Sequence, residues 1–199
     1  MPNRRQMIGA GLALAALPVL GGAISEPQRT GPASIRIDRL LIDPRFPDAL
    51  SMAAHFNASE SAVTALQRDV LDLWHDDLLP AMTDGRMESI AGITSETAAF
   101  LIRTLAADQR FRVLYRAAHG PAFNGAMHHV ISGPDRTVSS LVERAAKHDW
   151  RLPFAQALGS CAATGRCLQG AVLTAADRSD PRSETLVSWI IVPRCSSTG

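Results

Sequence analysis

The chain has 199 residues, of which 46% are hydrophobic and 20% charged, and its formal net charge is +1. This balance excludes a largely disordered chain, and it lacks the basic surplus with which proteins bind nucleic acid or an anionic membrane surface. We therefore expect an ordinary globular protein with one domain and no nucleic-acid partner.

The first 23 residues have the pattern of an export signal. Arg4 and Arg5 precede an uncharged run, 7–22, that ends in small residues, as is typical of a signal peptide. The arginine pair and the Gln-Met-Ile that follows it resemble a twin-arginine signal, which implies the twin-arginine (Tat) translocon as a partner and export to the bacterial periplasm in a folded state. A general secretory signal or a membrane anchor is the alternative. After cleavage we expect no stable membrane span, and a net charge of about −1, because two arginines leave (+1 − 2).

The remaining chain is predicted to form one α/β domain over 35–193, after a Pro-, Gly- and Ser-rich linker, 24–34, and before a tail, 194–199. Its first part alternates apolar runs with stretches of helical periodicity, which predicts a succession of strand–helix units. The predicted strands are 35–42, 62–66, 89–93 and 112–115, and the predicted helices are 47–57, 70–82 and one capped by Thr94 or Ser95.

The ends of these strands recur at a regular interval. Polar residues mark them at Asp43, Asp69, Thr94 and His119, which are 26, 25 and 25 residues apart. Because a strand–helix unit has about this length, the pattern predicts a mostly parallel sheet with right-handed crossovers. The expected fold is a three-layer αβα sandwich, Rossmann-like or flavodoxin-like.

The periodicity stops after Gly120. The segment 121–134 is rich in Gly, Pro and His and is predicted to be a loop. Helices at 138–148 and 151–158 and a strand at 168–174 are expected next. The β-prone stretch 186–192 is predicted to return to the sheet as an antiparallel C-terminal strand, and a hairpin with the preceding strand is one arrangement for it.

Polar residues gather at the predicted carboxyl edge of the sheet. Ligands of open parallel sheets bind beyond this edge, where helix N-termini also attract anions. We therefore predict that a small anionic or polar ligand binds there. The candidate residues are Asp43, Arg45, Asp69, Thr94, Ser95 and His119, with helix capping as the alternative role of Asp69, Thr94 and Ser95.

Histidines supply candidate catalytic and metal-binding groups. Imidazole titrates near neutral pH and a carboxylate can orient it, so His119 and Asp69 are candidate acid–base residues. His119, His128 and His129 are alternative metal ligands, although no HExxH or CxxC spacing accompanies them.

Three cysteines remain after the signal. Cys161 and Cys167 flank a turn of small residues and are the preferred disulfide pair in an oxidising compartment. Pairing of Cys195 with either one is the alternative.

These features lead to three functional alternatives. The first is a periplasmic small-ligand-binding or accessory protein of unknown substrate, similar in outline to other small exported bacterial proteins. The second is an exported hydrolase, metal-assisted or not, that uses the same edge with His119 as acid or base. The third is a structural partner of an exported cofactor enzyme, which would use an apolar surface. The sequence names no cofactor.

Overall fold

The structure is a computed structural model that describes residues 35–56, 62–121, 126–147, 149–161, 167–178 and 184–194. The predicted signal peptide, the linker and all but the first residue of the tail lie outside these ranges. None of the helices in the described part of the chain is long and apolar enough to cross a membrane.

The described residues form seven strands and six α-helices. The strands are β1 Arg39–Ile42, β2 Ala62–Ala65, β3 Ile90–Ser95, β4 Phe111–Pro121, β5 Ala126–Pro134, β6 Cys167–Arg178 and β7 Leu186–Pro193. The helices are α1 Pro47–His55, α2 Val70–Leu73, α3 Leu79–Thr83, α4 Glu96–Asp108, α5 Asp135–Ala145 and α6 Arg151–Gly159, with a π-helical turn, Trp74–Leu78, between α2 and α3.

All seven strands belong to one mixed sheet in the order β2-β1-β3-β7-β4-β5-β6. Among the described residues, β1 pairs in parallel with β2 and β3, and the other four pairings are antiparallel. The α/β class is therefore confirmed, but the expectation of a mostly parallel, Rossmann-like or flavodoxin-like sheet is wrong. The expected succession of parallel units holds only as far as β3.

Two features of the C-terminal half caused this error. The segment predicted as a loop, 121–134, instead contains the end of β4 and all of β5, which form an antiparallel ladder. Its buried residues alternate, with Met127, His129 and Ile131 facing one core, which is the period of a strand. The C-terminal strand is antiparallel as expected, but it lies between β3 and β4 rather than in a hairpin with β6.

Helices cover the sheet on both faces, so it has two hydrophobic cores. On one face, α1, α5 and α6 pack against residues such as Leu40, Tyr115 and Ile190. On the other, α2, α3 and α4 pack against residues such as Leu41, Ile90 and Val187. Neighbouring residues of one strand, for example Leu40 and Leu41, thus serve opposite cores, which explains the continuous apolar runs in the sequence.

Local sequence explains where the helices begin and bend. Ser95 caps α4, since its Oγ accepts a hydrogen bond from the Ala98 amide, and the Asp69 carboxylate accepts one from the Leu71 amide to cap α2. Pro80 has no N–H to donate and its ring crowds the preceding turn. The widened π-helical turn immediately before it accommodates this residue.

The predicted Cys161–Cys167 disulfide is not supported. Cys161 is a buried thiol after α6, with its Sγ 3.9 Å from the Thr137 hydroxyl. Cys167 begins β6, where it lies in register with Pro134. The described part of the chain contains no disulfide, and Cys195 lies outside it.

A close contact between two neighbouring strands fixes the position of β7 beside β3. Trp189 of β7 lies in register with Gly92 of β3, and its indole packs directly over the glycine. A Cβ added at Gly92 would come within 2.2 Å of two indole carbons. The indole N–H donates a 3.0 Å hydrogen bond to Thr94 Oγ1, so the ring cannot move aside without losing that bond.

We expect Gly92→Ala to destabilise the protein by about 3 kcal/mol, since overpacking of a rigid core is costly. Urea unfolding followed by tryptophan fluorescence measures this loss. Gly159→Ala in α6 is the matched control, because its Cβ would meet only a Phe56 carbon at 3.8 Å. Equal stability of the two variants would contradict the packing described for Trp189.

Candidate functional site

Part of the predicted site assembles at the carboxyl edge of β1 and β3. Asp43 is buried, and its carboxylate accepts bidentate hydrogen bonds from the Arg45 guanidinium at 3.0 and 2.7 Å. Burial alone would raise the pKa of Asp43, but these bonds and the Arg45 and Ser95 amides hold it below its ordinary value. Asp43 is therefore an ionised group that its own chain already satisfies.

Thr94 and Asp69 lie apart from this group. Thr94 faces the core formed with α4, where it accepts the Trp189 hydrogen bond. Asp69 is exposed and its carboxylate caps α2. The structure therefore brings together Asp43, Arg45 and Ser95. Asp69 has the capping contact that was its alternative role, whereas Thr94 caps no helix and instead accepts a hydrogen bond from Trp189.

His119 belongs to a buried polar chain on the opposite face from Thr94. Its Nδ1 lies 2.8 Å from Nδ1 of His129, which is directly opposite on β5, and its Nε2 lies 2.9 Å from Oγ of Ser188 on β7. The hydroxyl of Tyr115 also lies near Ser188. All four residues are buried.

Two aromatic rings cover this histidine pair. The Trp150 and Phe154 ring centroids are 4.9 and 4.6 Å from that of His119, and 4.7 and 4.8 Å from that of His129. Both aromatic residues are buried at the start of α6. We call His119, His129, Ser188, Trp150 and Phe154 the histidine cluster.

The contact between the two Nδ1 atoms restricts the protonation of the pair. One Nδ1 must carry the hydrogen and the other must accept it, so two doubly protonated rings cannot coexist. If His119 donates to His129, its Nε2 is free to accept the Ser188 hydroxyl proton. If His129 donates, His119 instead carries a hydrogen on Nε2 and donates it to Ser188. The cluster therefore has two hydrogen-bonded tautomeric arrangements.

Burial keeps His119 neutral. It lowers the pKa of His119 well below the ordinary value of 6.5, and the proximity of His129 and of the Arg116 charge lowers it further. His119 is therefore an imidazole, and not an imidazolium, at neutral pH.

The structure does not assemble the alternative metal ligands. His119 and His129 meet, but His128 precedes His129 on β5 and so points to the other face of the sheet. No group of three or more His, Cys, Asp or Glu side chains within the described ranges is arranged to hold a metal ion.

A cleft of about 560 Å³ lies at the opposite, amino edge of the sheet. Asp38 and Ser89, which precede β1 and β3, form its base. Hydrogen bonds connect the two segments there, since the Asp38 carboxylate accepts from the Glu88 and Ser89 amides at 2.8 and 3.0 Å. The cleft is lined by Ile35, Arg36, Asp38, Gly85, Arg86, Glu88, Ser89, Arg112, Val192 and Pro193. We call it the amino-edge cleft.

The charges in the amino-edge cleft are unequally satisfied. Arg36 pairs with Asp38 at 3.1 Å, and Arg86 pairs with Asp84 at 3.2 Å. Arg112 is half-buried on β4 beside Val192, and its guanidinium makes no ion pair or hydrogen bond with the described residues. This group is available to an anionic ligand.

Neither Arg112 nor Ser188 was predicted from the sequence, and His129 was named with His119 only as an alternative metal ligand. Ser188 lies inside an apolar run, so only its strand alternation with Leu186 and Ile190 marked it as facing the α6 side. The pairing of His119 with His129 follows from the β4–β5 ladder, which the period-2 pattern of 127–131 indicated. Nothing in the sequence placed the amino edge of β4 next to the residues before β1 and β3.

Comparisons with protein-family models, with curated proteins and with solved structures find no match for this chain.

The buried neutral His119 predicts a stability that falls in acid. Because the pKa of His119 is lower in the folded than in the unfolded chain, its contribution is fully present above pH 6.5 and is lost as the pH falls below that value. We expect the free energy of unfolding to decline there by about 1.4 kcal/mol per pH unit for each proton that only the unfolded state binds.

Urea unfolding between pH 4 and pH 8 measures this slope, and His119→Gln should flatten it by about one proton. His75→Gln is the control, since His75 is exposed on the π-helical turn. An unchanged slope in His119→Gln would show that the cluster does not control acid stability.

Proposed function

We propose that this protein is a small-ligand-binding protein that acts in the periplasm after export by the Tat translocon, and that it takes a small anionic ligand in the amino-edge cleft. The export part rests on the twin-arginine-like signal at Arg4 and Arg5. The binding part rests on one observation: the guanidinium of Arg112, which has no ion pair or hydrogen bond with the described residues, lines a cleft of about 560 Å³.

The cleft has the size and composition of a small-molecule site. Ligand pockets commonly enclose about 300–1,000 Å³ and combine apolar walls with a few polar groups. Here Ile35, Val192 and Pro193 provide apolar surface, while Arg112 provides a polar group. Glu88 is exposed at the same cleft, and its carboxylate has no ion pair with the described residues. A carboxylate that also carries a donor group would complement both charges.

This location differs from the edge predicted from the sequence. At the carboxyl edge, Asp43 and Arg45 satisfy each other, so a ligand would have to break a bidentate ion pair. At the amino edge, Arg112 has no such competitor, and an incoming carboxylate adds hydrogen bonds without displacing any. The balance of contacts therefore favours the amino edge.

A thermal-shift screen of small mono- and dicarboxylates and amino acids tests the proposal. At a ligand concentration 100 times Kd, binding stabilises the folded protein by about 2.7 kcal/mol, which raises Tm by roughly 5–10 °C at this size. Arg112→Gln should abolish the shift. Arg103→Gln is the matched control, because Arg103 stacks on Phe100, away from the cleft. A shift that survives in Arg112→Gln would count against this site.

The hydrolase alternative is supported by a different observation. Ser188, His119 and His129 have the connectivity of a nucleophile, a base and an orienting group, at 2.9 and 2.8 Å. Ser188 is fully buried in the middle of β7, however, and Trp150 and Phe154 cover the base. A substrate would reach Ser188 only after displacement of α6, so this arrangement ranks second.

A fluorophosphonate probe separates the two functions. The sealed cluster predicts no labelling of Ser188 in the native protein, as judged by intact-mass and peptide mass spectrometry. The denatured protein is the negative control, because it lacks the activating histidine. Native labelling that His119→Gln removes would favour the hydrolase.

A further inference from the structure

The groove between α5 and α6 is a second place where arginine side chains lack partners. It encloses about 180 Å³ and shares no residue with the amino-edge cleft. Arg136, Ser140 and Arg144 line it from α5, and Pro153, Ala157 and Ser160 line it from the α6 side. We propose that this groove binds a phosphate-type oxyanion.

The spacing on α5 places the three polar residues in one row. Residues four apart lie on the same face of a helix, so Ser140 sits between the two arginines. Arg136 and Arg144 are eight residues apart, which is about 12 Å along the axis. Their long side chains can therefore converge over Ser140 from both ends of the groove.

The charges around the groove are unbalanced. None of the described residues that line it carries a carboxylate. The nearby acids of α5 are engaged elsewhere: Asp135 accepts a 2.7 Å hydrogen bond from the Arg136 amide, and Glu143 pairs with Lys147 at 3.1 Å. The guanidinium groups of Arg136 and Arg144 make no ion pair or hydrogen bond with the described residues. Two like charges thus face one groove without a counter-charge.

The polar lining fits a tetrahedral oxyanion. A guanidinium group binds phosphate through two parallel N–H donors. The Ser140 hydroxyl, which makes no hydrogen bond within the described residues, adds a third donor group to the two guanidinium groups. The Ser160 hydroxyl already donates to the Gln156 carbonyl at 2.7 Å, so it adds no donor. The small volume suits a phosphate or diphosphate group better than a large organic ligand.

Isothermal titration with inorganic phosphate and with pyrophosphate, in a buffer free of other oxyanions, tests the proposal on the full chain. We expect saturable binding that Arg136→Gln/Arg144→Gln weakens by about tenfold to a hundredfold. Arg103→Gln is the control for loss of a surface charge, and Arg112→Gln should leave this binding unchanged. Failure of the carboxylate site would then be distinguishable from failure of this one.

Two results would overturn the assignment. One is wild-type affinity in the double variant, and the other is equal weakening in Arg103→Gln, which would indicate nonspecific attraction. Sedimentation with phosphatidylglycerol vesicles distinguishes the source of the phosphate. Co-sedimentation that the double variant loses identifies a lipid headgroup, whereas pyrophosphate binding without co-sedimentation identifies a soluble phosphate.

Discussion

The insertion of β7 between β3 and β4 is the constraint on which the rest of the structure depends. This strand, Leu186–Pro193, is buried along nearly its whole length and joins the parallel part of the sheet to the antiparallel part. Its alternate residues supply both cores, since Leu186 and Ile190 face α6 while Val187 and Ile191 face α4. The parallel and antiparallel parts of the sheet cannot join until this C-terminal segment is in place. The fold therefore depends on contacts between residues far apart in sequence.

A central strand leaves no polar side chain in contact with water, so each one needs a partner. The Trp189 N–H forms a hydrogen bond with Thr94 on one face, and the Ser188 hydroxyl forms one with His119 on the other. His119 in turn requires His129 as its second partner. His119 therefore gives the buried Ser188 hydroxyl a partner, and it stays neutral because burial beside the aromatic residues excludes water. The buried Tyr115 hydroxyl and the Trp150 indole N–H have no hydrogen-bond partner among the described residues.

The distribution of arginine partners separates structural from available charge. Several arginines are tied to an aspartate two residues away, as in Arg45 with Asp43, Arg86 with Asp84 and Arg151 with Asp149. Such local pairs form wherever the chain turns and need no ligand. Arg112, Arg136 and Arg144 differ because they face concave surfaces and have no carboxylate partner among the described residues, so these two places can attract an anion. The nearly neutral total charge conceals this arrangement.

The sequence by itself determined the local elements and their caps. Hydrophobic periodicity located the strands near Arg39, Ala62, Ile90 and Leu186. Pro47, Asp69 and Ser95 were recognisable as helix starts. Both kinds of feature depend on neighbours within a few residues. Only the tertiary structure decided strand order and direction. The contact of Trp189 with Gly92 joins residues that are 97 apart in sequence (189 − 92). The contact between His119 and His129 depends on the β4–β5 ladder, whose Gly and Pro residues had suggested a loop. The candidate sites depend on the same long-range packing, since Ser89 before β3, Arg112 of β4 and Val192 of β7 line one cleft.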